Sequence, residues 1–367
     1  MTCTRFLALA ALAAASMAAP AMAADRPAGW GEAATSITRM LETARPADPA
    51  AYATISGDGD GQGLSVGTMQ WNIGQGTIAD LLARMPTADA VAAARMPTFG
   101  AVFLINSRAS ATPFGRSTAL AWARSWQTGK TIDPVLKAEL QAFLADPAAI
   151  AAQDSFEEDY RSEAWTLASG WAQNVEGRPA PNFGEFATFY DLRVQGGSGY
   201  LDDLEQLLER YALIFKADRA GAFSVKAVAA AGFVSLKDGQ SCAVPTTPRT
   251  RATGHVWDAR ANCGIWRRLI ARDQLPDAQR ELLVLAFLRS FLARDEFAVN
   301  FYNRKGLLAA GRGVANGWSC DFRPIYARLD GGGTTSADEI KASCHAPLPA
   351  PSPAAPAHLA TPAAAPK

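Results

Sequence analysis

Over most of the chain, apolar positions return every three or four residues, the spacing of helices that bury one face. The first such stretch is 33–44, where Ile37, Met40 and Leu41 share a face, and it must end before Pro46. Similar patterns predict helices over 78–84, 134–144, 154–171, 183–194, 201–215 and 278–294. Between them, 52–76 breaks the rhythm: glycines alternate with short apolar pieces, which is turn and strand chemistry. The pattern therefore predicts a mainly helical fold with one small irregular or β section and no internal repeat.

Three segments depart from that body. At the start, Arg5 precedes an apolar run over 6–15 and small residues ending Ala21-Met22-Ala23, so 1–23 reads as a signal peptide with cleavage after Ala23. That run is too short to span a bilayer, and no later stretch reaches the roughly 18 apolar residues a transmembrane helix needs. The expected location is periplasmic or secreted. Residues 235–266 mix Gly, Pro, Ser and Thr with two cysteines and read as a long stapled loop, while 346–367 is almost entirely Pro and Ala and reads as a disordered tail. The stretch 24–345 is left as one folded domain.

Composition narrows the partners more than the fold. Lys plus Arg and Asp plus Glu number 35 each, so no global field points to nucleic acid or an acidic membrane surface. Cys3 leaves with the signal, and Cys242, Cys263, Cys320 and Cys344 form an even set that an oxidising compartment would pair. Four cysteines allow three connectivities; sequence neighbours favour Cys242 with Cys263 and Cys320 with Cys344. No C-x-x-C occurs and the three histidines show no ligand spacing, so neither a metal nor a cofactor is expected. Asp58 and Asp60 resemble the opening of a calcium loop, but Met69 stands where that loop requires Glu.

Glycoside hydrolysis needs one carboxyl to protonate the leaving oxygen and a second to activate water from the opposite side. Glu42, at the end of an apolar-faced helix, is placed for partial burial, which favours the protonated form an acid needs. Asp60 lies among glycines that expose backbone amides, where a carboxylate stays solvated and ionised. Each has an ordinary alternative, a solvated helix-end charge or a turn residue.

Their setting resembles a family. Glu42, followed eighteen positions on by Asp60 inside Gly59-Asp60-Gly61-Gln62-Gly63-Leu64-Ser65 and then by Gly67-Thr68-Met69-Gln70-Trp71-Asn72-Ile73-Gly74-Gln75-Gly76, is similar to the catalytic segment of the family 46 chitosanases. Two further pieces resemble that family in its own order: Asp146-Pro-Ala-Ala-Ile-Ala-Ala-Gln153, and Phe186-Ala-Thr-Phe-Tyr-Asp-Leu-Arg-Val-Gln-Gly-Gly197. The resemblance implies a lysozyme-like α+β fold with two helical lobes around a cleft, Glu42 as general acid, Asp60 as general base and Ser65 orienting water. It also implies that Asp191 supports Glu42 through buried arginines, for which Arg289, Arg294 and Arg304 are candidates. A helix-face ion pair without catalytic consequence is the plain alternative for Asp191.

Departures from the family bear on substrate. Gln62 replaces an Arg, Ser65 a Thr, and Thr77 an acidic residue that, in the family, helps hold the free amines of chitosan. Tyr52, Asp58, Gln62, Gln70, Trp71, Asn72 and Thr77 are the expected sugar contacts, amides and an indole suiting hydrogen bonding and stacking. Trp71 serves equally well as a core residue. The expectation is an exported, monomeric hydrolase of β-1,4-linked amino-sugar polymers acting by inversion, on peptidoglycan or another N-acetylated glycan of chitin type, with chitosan as the competing substrate. A non-catalytic cell-wall glycan binder and a protein-binding interaction module are the competing classes.

Overall fold

The computed structural model describes residues 25–43, 49–59, 61–174, 177–196, 255–292 and 295–345. The protein is mainly helical, with small sheets. Helix α1 (Trp30–Thr43) leads into a three-stranded antiparallel sheet of β1 (Ile55–Ser56), β2 (Ser65–Val66) and β3 (Trp71–Asn72). Helices α2 (Thr77–Ala83), α3 (Ala88–Arg95), α4 (Gly100–Ala109) and α5 (Pro113–Ser125) follow. A two-stranded turn, β4 (Gln127–Thr128) with β5 (Thr131–Ile132), leads to α6 (Pro134–Leu144), then α7 (Pro147–Asn174) and α8 (Phe183–Gly196).

The C-terminal part holds α9 (His255–Ala271), α10 (Asp277–Leu292), α11 (Asp295–Ala310), β6 (Arg312–Ala315), β7 (Trp318–Asp321), α12 (Arg323–Asp330), α13 (Ala337–Ala342) and β8 (Cys344–His345). Strands β6, β7 and β8 make a second three-stranded antiparallel sheet, in which Cys320 faces Cys344 across the ladder and is joined to it by a disulfide. Cys263 is disulfide-bonded and fully buried on α9. Its expected partner, Cys242, lies outside the described residues, as do the expected helix 201–215, the signal segment 1–23 and the tail 346–367. The stapled-loop reading of 235–266 is corrected at its end: from residue 255 the chain is helical, with Ala259, Cys263 and Trp266 buried along one side at helical spacing.

The centre of the fold is α8. Phe183, Phe186, Phe189, Tyr190, Asp191 and Leu192 are all buried, so the helix is enclosed on every side, as a core helix must be. It packs against α1, α7, α11 and α12. Trp30, at the start of α1, meets Trp165 of α7 and Phe183 of α8 edge-on, with centroids 5.9 and 5.4 Å apart. This packing fixes the direction of α1 and hence the place of its last residues. Helix α6 is set by local chemistry: Asp133 accepts from the amides of Val135 and Leu136, and Pro134 occupies the first helical position.

Candidate active site

Glu42 closes α1 and opens onto a cleft of about 450 Å³. Thr54, Ile55 and Ser56 of the β1 segment, Gln70 of the β2–β3 turn, and Lys137 and Gln141 of α6 form its walls. A second cavity of about 500 Å³ shares Ile55, Ser56 and Lys137 with it and continues to Gly57, Gly59 and Lys130. The two make one groove around β1, with Glu42 at one end and Gly59 at the other. Glu42 is the only carboxylate lining either cavity among the described residues.

Behind Glu42 stands a chain of buried charge. Arg304 of α11 is fully buried and ion-paired with Glu42, whose side chain is 24% exposed. The guanidinium also donates from Nε to Asp191 at 2.9 and 3.0 Å, and from Nη2 to Asp191 as well. Lys305 donates to the Asp191 carbonyl at 2.6 Å and pairs with its carboxylate, and Thr38 of α1 donates to Asp191 Oδ1 at 3.1 Å. Burial alone would raise the Asp191 carboxyl, but the Arg304 and Lys305 cations outweigh it and hold it below the usual carboxylate range. Asp191 demands such partners because α8 is enclosed on every side. Of the three candidate arginines, Arg304 is in this network; the side chains of Arg289 and Arg294 lie outside the described residues. Asn316 donates to the Leu41 carbonyl at 2.7 Å and satisfies one orphan acceptor of the last turn of α1, beside Glu42.

A second buried pair, absent from the sequence reading, fastens the sheet to the helices. Arg39 of α1 donates to Glu157 of α7 at 2.6 Å, and the Thr68 hydroxyl donates to the same oxygen at 2.5 Å. Arg161 closes the pair at 3.3 Å. Nothing in the spacing of Arg39 and Glu157 announces them as partners, because they lie on separate helices far apart in the chain.

Asp60 lies outside the described residues, but the loop on either side is well held. Asp58 accepts from the Gly63 amide at 2.9 Å and from Arg124 Nε at 2.6 Å, while Arg124 Nη2 donates to the Gly61 carbonyl at 3.0 Å. Gln127 donates to the Gly63 carbonyl at 3.1 Å and accepts from the Asp58 amide at 2.7 Å. Gly61 and Gly63 have φ of +84° and +81°, a conformation glycine reaches at no steric cost. Asp58 therefore shapes the loop, and its carboxylate is already engaged there, not free for sugar.

The other expected contacts divide. Gln70 lines the cleft, and at φ +55° it is a left-handed residue without glycine's freedom, braced by a 2.9 Å bond from its amide to the Gly67 carbonyl. Ser65 is 8% exposed in the middle strand, paired with Ser56, which reaches the groove. Tyr52 gives its hydroxyl to Asp154 at 2.6 Å and lies under Arg39 at 5.0 Å, outside the cleft wall. Gln62 accepts from the Gly74 amide through its carbonyl at 3.0 Å and lines neither cavity.

Trp71, Asn72 and Thr77 are corrections. Trp71 is 1% exposed and stacked on Phe156 at 5.5 Å, because Val66 and Trp71 turn toward the core side of the sheet. The Asn72 side chain accepts from the Gln75 amide at 2.7 Å and shapes the turn. Thr77 accepts from the Asn72 amide at 2.7 Å and opens onto a different cavity with Asp80, Arg84 and Arg193, so it offers no reading of the substrate at Glu42. Lys130, Lys137 and Gln141 are the groove residues the sequence reading missed. The polar face of α6 signalled exposure but not what it faces.

No protein-family model, curated protein or solved structure matches the chain. Among the described residues no helix is long and apolar enough to cross a membrane.

Proposed function

We propose that the protein is an exported glycoside hydrolase of β-1,4-linked amino-sugar polymers, with Glu42 as general acid, Asp60 as general base and Ser65, on the strand beside Ser56, orienting water. The observation that carries this reading is Glu42, the one carboxylate lining the cleft among the described residues, held by a buried cation that is itself anchored on Asp191. A surface ion pair needs no such anchorage. A general acid benefits from it, because Glu42 becomes negative as it gives its proton to the leaving oxygen, and Arg304 is already in place to stabilise that charge.

The second carboxylate is assigned by the resemblance to the family 46 chitosanases, in which an Asp of the same Gly-rich run is the base. The bonds from Arg124 and Gln127 to Asp58, Gly61 and Gly63 support the assignment, since a catalytic group on a loop needs its flanks fixed. Attack of water from the face opposite Glu42 would invert the anomeric centre, and inverting pairs stand about 6.5–9.5 Å apart. The signal-like segment 1–23 and the Cys320–Cys344 disulfide are in keeping with an oxidising, exported setting.

The test is turnover of purified peptidoglycan and of chitosan by the wild type and by Glu42→Gln. Cleavage of either polymer, lost in Glu42→Gln, supports the proposal. Binding without cleavage by the wild type would make the protein a glycan-binding module and end the enzyme reading.

A further inference from the structure

Apart from Glu42, and from Asp60 that the hydrolase reading adds at the Gly59 end, the charged side chains lining the groove around β1 among the described residues are both cationic. Lys137 lies where its two cavities meet, and Lys130 lies at the far end against Gly59. Both lysines are exposed, and neither has an acidic partner among the described residues. Among the described residues the remaining side chains lining the groove are neutral: Thr54, Ser56, Gln70, Gln141 and Thr131 supply hydroxyls and amides. A polymer lying along β1 would pass both ammonium groups.

From this we infer that the groove selects a glycan bearing carboxylates, an amino-sugar chain carrying acidic substituents, over a neutral or cationic one. The inference rests on the hydrolase reading for its orientation of the chain, and it names the substrate class that reading leaves open. Each ammonium can pair with one carboxylate on the sugar chain, an exposed interaction that changes affinity by up to about fivefold. Against chitosan the sign reverses, since protonated amines would meet Lys137 and Lys130 at close range. The lysines thus do more to exclude the cationic polymer than to tighten the anionic one, which is how a groove of modest affinity becomes specific.

The experiment reads binding in the Glu42→Gln background, so that no turnover intervenes. Three probes are used at low and at moderate salt: peptidoglycan glycan strands, N-acetylated chitin oligomers and chitosan. The expected order is carboxylate-bearing, then neutral, then cationic, with about tenfold or more between the extremes at low salt, narrowing as salt is added. Lys130→Glu with Lys137→Glu should reverse the order. Lys130→Gln with Lys137→Gln should flatten it, and serves as the gentler variant should charge reversal disturb the fold.

Chitosan bound as well as the acidic strands, an order unmoved by either pair of substitutions, or no binding to any probe would overturn the inference. Wild-type protein that binds in the expected order yet cuts nothing would sink the hydrolase reading alone and leave the selectivity standing.

Discussion

Arg304 and Asp191 are both fully buried, and their pair is the inner end of a chain of charges whose outer end is Glu42. Arg304 and Lys305 both meet Asp191, and Arg304 also meets Glu42, so the members form one connected set. Removing one member leaves a charge in the core without its counterpart, a far larger cost than the pair's own net worth.

Arg304→Met is therefore expected to destabilise the protein by about 3–5 kcal/mol, as is Asp191→Asn to a somewhat smaller degree. Combining them should cost clearly less than the sum, because each substitution removes the reason the other matters. Urea unfolding of the three variants measures this. Strict additivity would show that the two residues do not act as a unit.

Asp191 also fixes a pH dependence. Its carboxyl is held low in the folded protein, by Arg304 and Lys305 against the opposing effect of burial, so its stabilisation is complete above the unfolded value of about 4 and is lost as pH falls from there toward the folded value. The stability gap between the wild type and Asp191→Asn should be constant near neutral pH and narrow below about pH 4. Unfolding free energies across that range decide it; a gap that widens on acidification would contradict the assigned charge state.

Trp71 lies in the core, stacked on Phe156. Trp71→Ala should cost about 3–5 kcal/mol of stability. At a temperature where the variant is folded, its KM for glycan should stay within about twofold of wild type, since the loss is one of packing rather than of contact with sugar. A large rise in KM with stability intact would return Trp71 to the cleft.

The Cys320–Cys344 bridge closes a segment spanning 24 positions that contains α12 and α13. Its removal by Cys320→Ser with Cys344→Ser should lower stability by about 3 kcal/mol through the added freedom of the unfolded chain. Thermal melts provide the measurement, and an unchanged melting temperature would count against it.

The sequence was legible where the determinants are local. Helix α6 falls where the pattern predicts it because Asp133 and Pro134 mark its start chemically, and α8 was readable from its dense apolar run. Helices α3 and α5 escaped because their buried faces are made of small alanines, Ala88 and Ala92 in α3, Ala119 and Ala123 in α5, and α4 because exposed Val102 and Ile105 blur the face that buries Phe103 and Leu104. The start of α9 was hidden by the turn-rich composition before it.

At the site, Asp191 and its arginine partner were anticipated through the resemblance, because a motif carries long-range contacts that periodicity does not. Trp71, Asn72 and Thr77 were misplaced for the converse reason. Whether a strand residue faces sugar or core depends on which face of a two-residue strand the helices cover, and the pairing of Val66 with Trp71 rather than any local signal decides that. Lys137 faces the groove only because α6 packs beside β1, a tertiary fact.

The central claim is hydrolysis at Glu42, and products formed in ¹⁸O-labelled water test it most directly. From whichever of peptidoglycan and chitosan it cuts, wild-type protein should release fragments with ordinary reducing ends, each carrying one labelled oxygen, and Glu42→Gln should release them at least about a hundredfold more slowly. Unlabelled anhydro ends, or release by Glu42→Gln at the wild-type rate, would contradict it.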